Sequence, residues 1–313
     1  MSKKLISIVT PCYNEESNVR EVWAQVKIQF EKLPDYDYEH IFIDNSSKDK
    51  TVAILKELAE LDKRVKVIVN ARNFGQIKSP FYGLLQAKGD AVILFVADLQ
   101  DPPAMIVKFI AEWEKGYKIV AGIKETSEES KPMFLVRKIY YGLIFKLSEE
   151  VELINNFTGF GLYDREVMDI IKNLNDPYPY LRGMVSEVGF DVAKISYQQP
   201  TRKRGITSNN FYRLYDFAML GITSHTKKPL RYATISGFIL SIVSFLIALV
   251  YGVYKLIYWD RFEAGTAPLV IGLFFMFSVQ LFFMGLLGEY ILSIHQRIMN
   301  RPLVIEKERV NFD

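Results

Sequence analysis

Asp98, Gln100 and Asp101 follow directly on the apolar run Ala91–Ala97 and directly precede Pro102-Pro103. A run of this length and β-branched content reads as a central parallel strand. Acidic groups released at the carboxyl end of such a strand lie where open α/β sheets bind their ligands. Hard carboxylate and amide oxygens there suit Mg2+ or Mn2+, and a divalent ion in turn suits a diphosphate. Asp98 and Gln100, two apart, can both turn toward one ion. A strand followed by a polar turn and a Pro-started helix produces the same local pattern with no chemistry, so other parts of the chain must decide.

The elements that would position these groups are legible upstream. Strand patterns occupy Leu5–Thr10, Glu39–Ile43, Val65–Val69, Ala91–Val96 and Lys118–Ala121, and helical periodicity occupies Ser17–Leu33, Asp49–Leu61, Gln76–Ala87 and Pro103–Lys115. This alternation predicts an α/β domain with a parallel, doubly wound sheet and a ligand crevice at the strand carboxyl ends. Those ends carry Pro11-Cys12-Tyr13-Asn14-Glu15, Asp44-Asn45-Ser46-Ser47, Asn70-Ala71-Arg72-Asn73-Phe74-Gly75 and Asp98 through Asp101. Four successive strands ending in polar or acidic turns exceed what loop chemistry alone explains. No G-x-G-x-x-G and no Walker lysine motif is present, so neither a nicotinamide fold nor a P-loop is indicated.

Composition narrows the class. A net charge of +3 sets up no field that demands nucleic acid, and it fits an anionic substrate or a membrane surface equally well. Cys12, the single cysteine, excludes an intrachain disulfide, and His40, His225 and His295 are too far apart to make a ligand spacing. Late in the chain, Ala233–Tyr254 and Pro268–Ile294 are almost wholly apolar, each long enough to cross a bilayer core of ~30 Å. Aromatic residues cluster at their ends (Tyr232, Tyr251, Tyr254, Tyr258, Trp259, Tyr290), as in an interfacial belt. Lys227, Lys228 and Arg231 precede this pair and His295, Arg297 and Arg301 follow it, whereas the connecting loop has Arg261 against Asp260 and Glu263. The positive-inside bias therefore predicts a two-helix hairpin in the cell membrane, with the catalytic domain and both termini cytoplasmic.

The ordered set P-C-Y-N-E-E, I-D-N-S-S-K-D-K-T, R-N-F-G and A-D-L-Q-D-P-P resembles the inverting family-2 glycosyltransferases of GT-A fold. With N-F-T-G-F-G-L-Y-D-R (Asn156–Arg165), R-K-R-G (Arg202–Gly205) and the terminal hairpin, the chain is similar to the branch that glycosylates polyprenyl phosphates. Within that branch it is most similar to the bactoprenol glucosyltransferases, and also similar to dolichyl-phosphate mannose synthases. The resemblance implies transfer of glucose from UDP-glucose to undecaprenyl or another polyprenyl phosphate. It implies that Pro11, Tyr13, Glu15, Asp44, Asn73 and Gly75 hold the nucleotide sugar, and that Asp98 and Gln100 hold Mg2+ or Mn2+. Asp98, Asp101 and Arg202 would be catalytic, with Arg202 clamping the diphosphate in a bidentate geometry that lysine cannot supply. Arg137, with Lys138 second, would bind the acceptor phosphate.

Three positions depart from the family's pattern: Val96 where a first aspartate is common, Asn45 where a second aspartate is common, and Ser46 where glycine is common. Gly159 stands where mannose-transferring relatives often carry aspartate. The same fold using GDP-mannose or another nucleotide sugar, and a membrane-anchored nucleotide-sugar sensor without catalysis, are therefore the competing readings. The expected organisation is a GT-A domain over 1–208, a juxtamembrane helix over 209–229, membrane helices over 230–258 and 267–295, and a cytoplasmic tail over 296–313. Within the domain, 132–148 combines Arg137, Lys138 and Lys146 with apolar residues and reads as an amphipathic interface helix, a theme repeated over 210–222. Packing against the sheet or a second subunit would produce the same patterns. Gly237, Gly252, Gly272, Gly285 and Gly288 give the hairpin faces that can associate, which fits a homo-oligomer, dimer or tetramer.

Overall fold

A computed structural model describes residues 3–125, 154, 156–200, 219–220, 228–258 and 266–312. Arg137, Lys138, Arg202 and the two amphipathic segments, apart from residues 219 and 220, lie outside the described residues. In chain order the elements are β1 (Lys4–Cys12), α1 (Val19–Glu31), β2 (Tyr36–Asp44), α2 (Thr51–Leu61), β3 (Val65–Asn70), α3 (Gly75–Gln86), β4 (Ala91–Leu94) and α4 (Met105–Glu114). There follow β5 (Ile119–Lys124), β6 (Phe157–Asp164), α5 (Arg165–Asn173), α6 (Leu181–Glu187), β7 (Val192–Tyr197), α7 (Lys228–Ile257), α8 (Thr266–Ile298) and β8 (Glu306–Val310).

One sheet of 8 strands, in the order β7-β5-β6-β4-β1-β2-β3-β8, organises the domain. Ile6 through Thr10 are buried without interruption because β1 is central and helices cover both faces. Its alternate side chains feed two cores. Ile6 and Ile8 pack with Val22, Leu55, Phe109 and Trp113 from α1, α2 and α4, while Val9 packs with Ile41, Phe81, Leu84 and Met168 on the face covered by α3 and α5. The helices thus lie on both faces of the sheet, as the strand–helix alternation predicts.

The sheet is mixed and mostly parallel. β1, β2, β3 and β4 run parallel, but β6 enters between β4 and β5 antiparallel to both. Strand direction leaves no local mark in a sequence, so alternation alone read the sheet as parallel. β4 also ends at Leu94 instead of Val96, where its pairing with both Val9 and Gly161 stops. Phe95 still donates to the Val9 carbonyl at 2.9 Å before the chain turns.

The tail is the larger departure. Residues 306–310, expected as a tail outside the domain, form β8 and pair antiparallel with β3, from Val67 opposite Val310 to Asn70 opposite Glu306. Ala71 N–H donates to the Ile305 carbonyl at 2.9 Å, and the Asn311 amide donates to the carbonyls of Ala59 at 2.7 Å and Val65 at 2.9 Å. The catalytic domain is therefore completed by chain that follows the last long helix. α7 and α8 expose apolar side chains such as Phe238, Phe245, Phe274 and Phe282, which lie in the stretches Lys228–Ile247 and Gly272–Ile298, long and apolar enough to cross a membrane. Helices that present this surface on every side need a lipid or protein partner to cover it.

Candidate active site

The crevice is built from the turns that leave β1, β2, β3 and β4, neighbours in the sheet. The first two turns are sewn together by reciprocal bonds. Asn14 N–H donates to Ser47 Oγ and Lys48 N–H returns to Asn14 Oδ1, each at 2.8 Å. Glu15 N–H donates to Thr51 Oγ1 at 2.8 Å, Glu16 N–H to Asp49 Oδ2 at 3.1 Å, and Lys50 N–H to Glu16 Oε2 at 2.9 Å. Asn14 and Ser46 hold left-handed backbone at φ 56° and 65°. Asparagine tolerates that region, while at Ser46 it is the conformation glycine takes most cheaply.

This stitching presents Tyr13 outward at 41% exposure and leaves Pro11 and Glu15 half-buried. Asp44 lies at the floor, wholly buried, accepting from the Ser47 N–H at 2.9 Å and from the Ser47 hydroxyl. Burial pushes the Asp44 carboxyl above its usual range against the pull of the Ser47 donors. The Cys12 thiol is buried among these carboxylates and is pushed up, first by burial and then by Asp44, Glu15 and Asp49, so it is not a nucleophile.

Asn45 explains one departure from the family pattern. Its amide nitrogen donates to Asn73 Oδ1 at 3.1 Å and to the Gly75 carbonyl at 3.0 Å, while its oxygen accepts from Phe74 N–H at 2.8 Å and Asn70 Nδ2 at 3.1 Å. Asn73 Oδ1 also accepts from Gly75 N–H at 2.8 Å, and Gly75 takes φ 88° to start α3. Donor and acceptor ends are both used, which a carboxylate cannot reproduce. Asn45→Asp is expected to cost roughly 1 kcal/mol by setting acceptor against acceptor at two part-buried contacts. Thermal unfolding of the purified protein checks it; a variant that melts with the parent would remove this role for Asn45.

The β4 turn carries the groups with the clearest chemistry. Leu99 takes left-handed backbone at φ 56°, and Gln100 N–H donates to Asp98 Oδ1 at 3.1 Å. Asp98 and Gln100 are half-buried at the turn's surface. Asp101 is placed differently. It is 4% exposed and accepts from the Tyr197 hydroxyl at 3.0 Å. Burial, with the Asp98 charge adding and the Tyr197 bond opposing, raises its carboxyl to about 7. Asp101 therefore ties the turn to the end of β7, five residues before Arg202, and no more than about 18 Å of extended chain separates them.

Asp98 and Gln100 fit a divalent ion of the kind that takes one or two protein oxygens and completes its shell with phosphate and water. Among the described residues no group of three or more His, Cys, Asp or Glu could hold a metal ion. Pro11, Tyr13, Glu15, Asp44, Asn73, Gly75, Asp98, Gln100 and Asp101, the described residues that the resemblance implies for the site, all lie at the carboxyl ends of β1 to β4 or in the turns that follow. Sequence reasoning missed Asn14, Ser47 and Thr51, which sew the turns together, and Tyr197; the only signal for the first three was a cluster of Asx- and Ser/Thr-turn residues.

A doubly wound mixed sheet with an acid–amide turn at the end of its central strand is the arrangement of a GT-A glycosyltransferase. Residues 7–171 match the model of glycosyl transferase family 2, and residues 228–294 match that of the GtrB C-terminal hairpin. The chain belongs to glycosyl transferase family 2. It is 35% identical over 309 residues to the SfII prophage-derived bactoprenol glucosyl transferase of Shigella flexneri, covering 97% of each chain. It is 32% identical over 301 residues to the uncharacterized glycosyltransferase YkcC of Bacillus subtilis, covering 96% of this chain and 92% of that one.

Proposed function

We propose that the protein transfers glucose from UDP-glucose to a polyprenyl phosphate with inversion, giving polyprenyl-phosphate-glucose and UDP. The observation that carries this reading is the Asp98-Leu99-Gln100 turn at the crevice of a domain joined to an apolar helix pair. Full-length likeness to a bactoprenol glucosyl transferase supports a glucosyl donor and a lipid acceptor.

In the transfer, an acceptor phosphate oxygen attacks the anomeric carbon opposite the diphosphate. The new carbon–oxygen bond forms as the bond to UDP breaks, and the electron pair leaves on UDP. A lipid phosphate is largely ionised near neutral pH, so the acceptor needs orientation more than a general base. Pro11 and Tyr13 stack on the base, Glu15 and Asp44 orient base and ribose, and Asn73 and Gly75 border the sugar. Asp98 and Gln100 would hold Mg2+ or Mn2+, which when bound would neutralise charge on the departing diphosphate. Arg202 clamps the same diphosphate, while Arg137 and Lys138 hold the acceptor phosphate. Asp101 acts through Tyr197 as a positioning residue. The test is transfer of label from radiolabelled UDP-glucose into organic-extractable lipid in the presence of Mg2+ or Mn2+. Binding of UDP-glucose without lipid product favours a sensor, product from GDP-mannose alone shifts the donor, and full activity in excess chelator removes the metal.

α7 and α8 cross the membrane as a hairpin, with the domain and the chain after α8 on the cytoplasmic side. The charge asymmetry of the flanks supports this orientation, and β8 requires that the chain after α8 return to the side that holds β3. A cysteine at Phe262 is expected to react with an impermeant thiol reagent added outside intact cells, while cysteines at Ser2 and Asp313 are protected. The reverse labelling pattern would overturn the orientation.

A further inference from the structure

Four cations from three separate parts of the chain meet beside the exit of α8. Arg72 lies in the turn after β3, Lys78 in the first turn of α3, Arg297 in the last turn of α8, and Arg301 beyond its end. The turn at residues 176–178 joins them. Asp176 Oδ1 accepts from Tyr178 N–H and its Oδ2 pairs with the Arg297 guanidinium, both at 2.9 Å. The Lys78 ammonium sits 5.4 Å from the centroid of the Tyr178 ring, and the Arg72 guanidinium 4.0 Å from that of Phe74.

Among the described residues the charges do not balance. Lys78 is half-buried, and its ammonium is pulled below the ordinary lysine range by burial, then by Arg72 and Arg301, with only Asp176 acting in the other direction. Asp176 is itself paired to Arg297. Cations held together in this way are stable once an anion joins them, and phosphate oxygens are the ligands that guanidinium groups grip in two-point geometry.

We propose that Arg72, Lys78, Arg297 and Arg301 form a docking site for the phosphate diester of an anionic phospholipid headgroup, held between α3 and the end of α8. The proposal rests on the membrane reading of α8, whose stretch Gly272–Ile298 is long and apolar enough to cross a bilayer. The last turn of a spanning helix lies at headgroup depth, where basic residues meet lipid phosphates. None of the four cations is assigned to the nucleotide sugar or the acceptor, so the headgroup is a third ligand, distinct from both. Its grip on Lys78 would hold the start of α3, and with it the Asn73–Gly75 turn, against the membrane.

The full-length protein in detergent, titrated with phosphatidylglycerol against a fluorescent phosphatidylglycerol analogue, tests this. Lys78→Gln combined with Arg301→Gln is expected to weaken phosphatidylglycerol binding roughly fivefold for each charge removed and to leave phosphatidylcholine binding as it was. Asp176→Asn keeps the oxygen that receives the Tyr178 N–H and is expected to tighten the same binding, a direction that a damaged fold cannot imitate. Arg301→Lys should bind as the parent does. UDP binding, followed in parallel, should be unchanged in the double variant, which separates failure here from failure of the proposed transfer reaction. Undiminished phosphatidylglycerol binding by the double variant would overturn the proposal. So would displacement of the headgroup by farnesyl phosphate or by inorganic phosphate at equal concentration, which would make the cluster an acceptor site or a site for free phosphate.

Discussion

Asp98→Ala is expected to lower sugar transfer on the order of 10²- to 10³-fold, the loss seen when a preorganised group aimed at developing charge is removed. Asp98 is the one carboxylate at the surface of the β4 turn, since Asp101, three residues on, is buried against Tyr197. Without it the amide oxygen of Gln100 would be left to hold a divalent ion, and a neutral ligand alone holds Mg2+ poorly. The loss should fall on kcat, with membrane insertion and thermal stability close to the parent, because the Asp98 side chain is only half-buried. Transfer from radiolabelled UDP-glucose measures it. A variant retaining a tenth or more of the parental rate would remove Asp98 from the reaction.

Gly161→Ala should damage the fold instead of the chemistry. Gly161 lies in β6, opposite Leu94 of β4 on one side and Ala121 of β5 on the other. A Cβ there would stand 2.4 Å from the Val120 carbonyl oxygen and 3.4 Å from the Ala121 Cα. Both are backbone of a paired strand and cannot yield without opening the ladder between β5 and β6. Overpacking of this kind costs about 3 kcal/mol. The melting temperature should fall by several degrees, and UDP binding should weaken because β4 and its turn rest on β6. Gly237→Ala is the contrast: nothing lies within 4 Å of a Cβ at that position, so it should melt with the parent. Equal melting of both variants would show that the strand contact is slack.

The residues that could touch substrate were legible, and those that hold them were mostly not. Ala91–Leu94 announces itself because a strand buried on both faces is apolar without alternation, and the groups that follow then stand out. Asn14 and Ser47 pair across 33 residues, and Tyr197 reaches Asp101 across 96. Contacts of that separation have no periodicity to betray them. β8 was hidden for a different reason. Glu306-Lys307-Glu308-Arg309-Val310 is almost wholly charged and reads as solvated tail, yet charge is how an edge strand refuses further partners. The basic cluster at Lys78 was dispersed over residues 72–301 and had no pattern before folding brought it together.

The position of β8 also sets an order of events during synthesis. β1 through β7 leave the ribosome before either long helix, and β8 leaves after both. Until both long helices have been made, β3 is the outer strand of the sheet, with its unpaired backbone groups open to any passing strand. Synthesis of α7 and α8 thus precedes the closing of the enzyme's own sheet. A chain stalled before β8 would display a bare strand, the kind of feature by which chaperones and proteases tell an unfinished protein from a finished one.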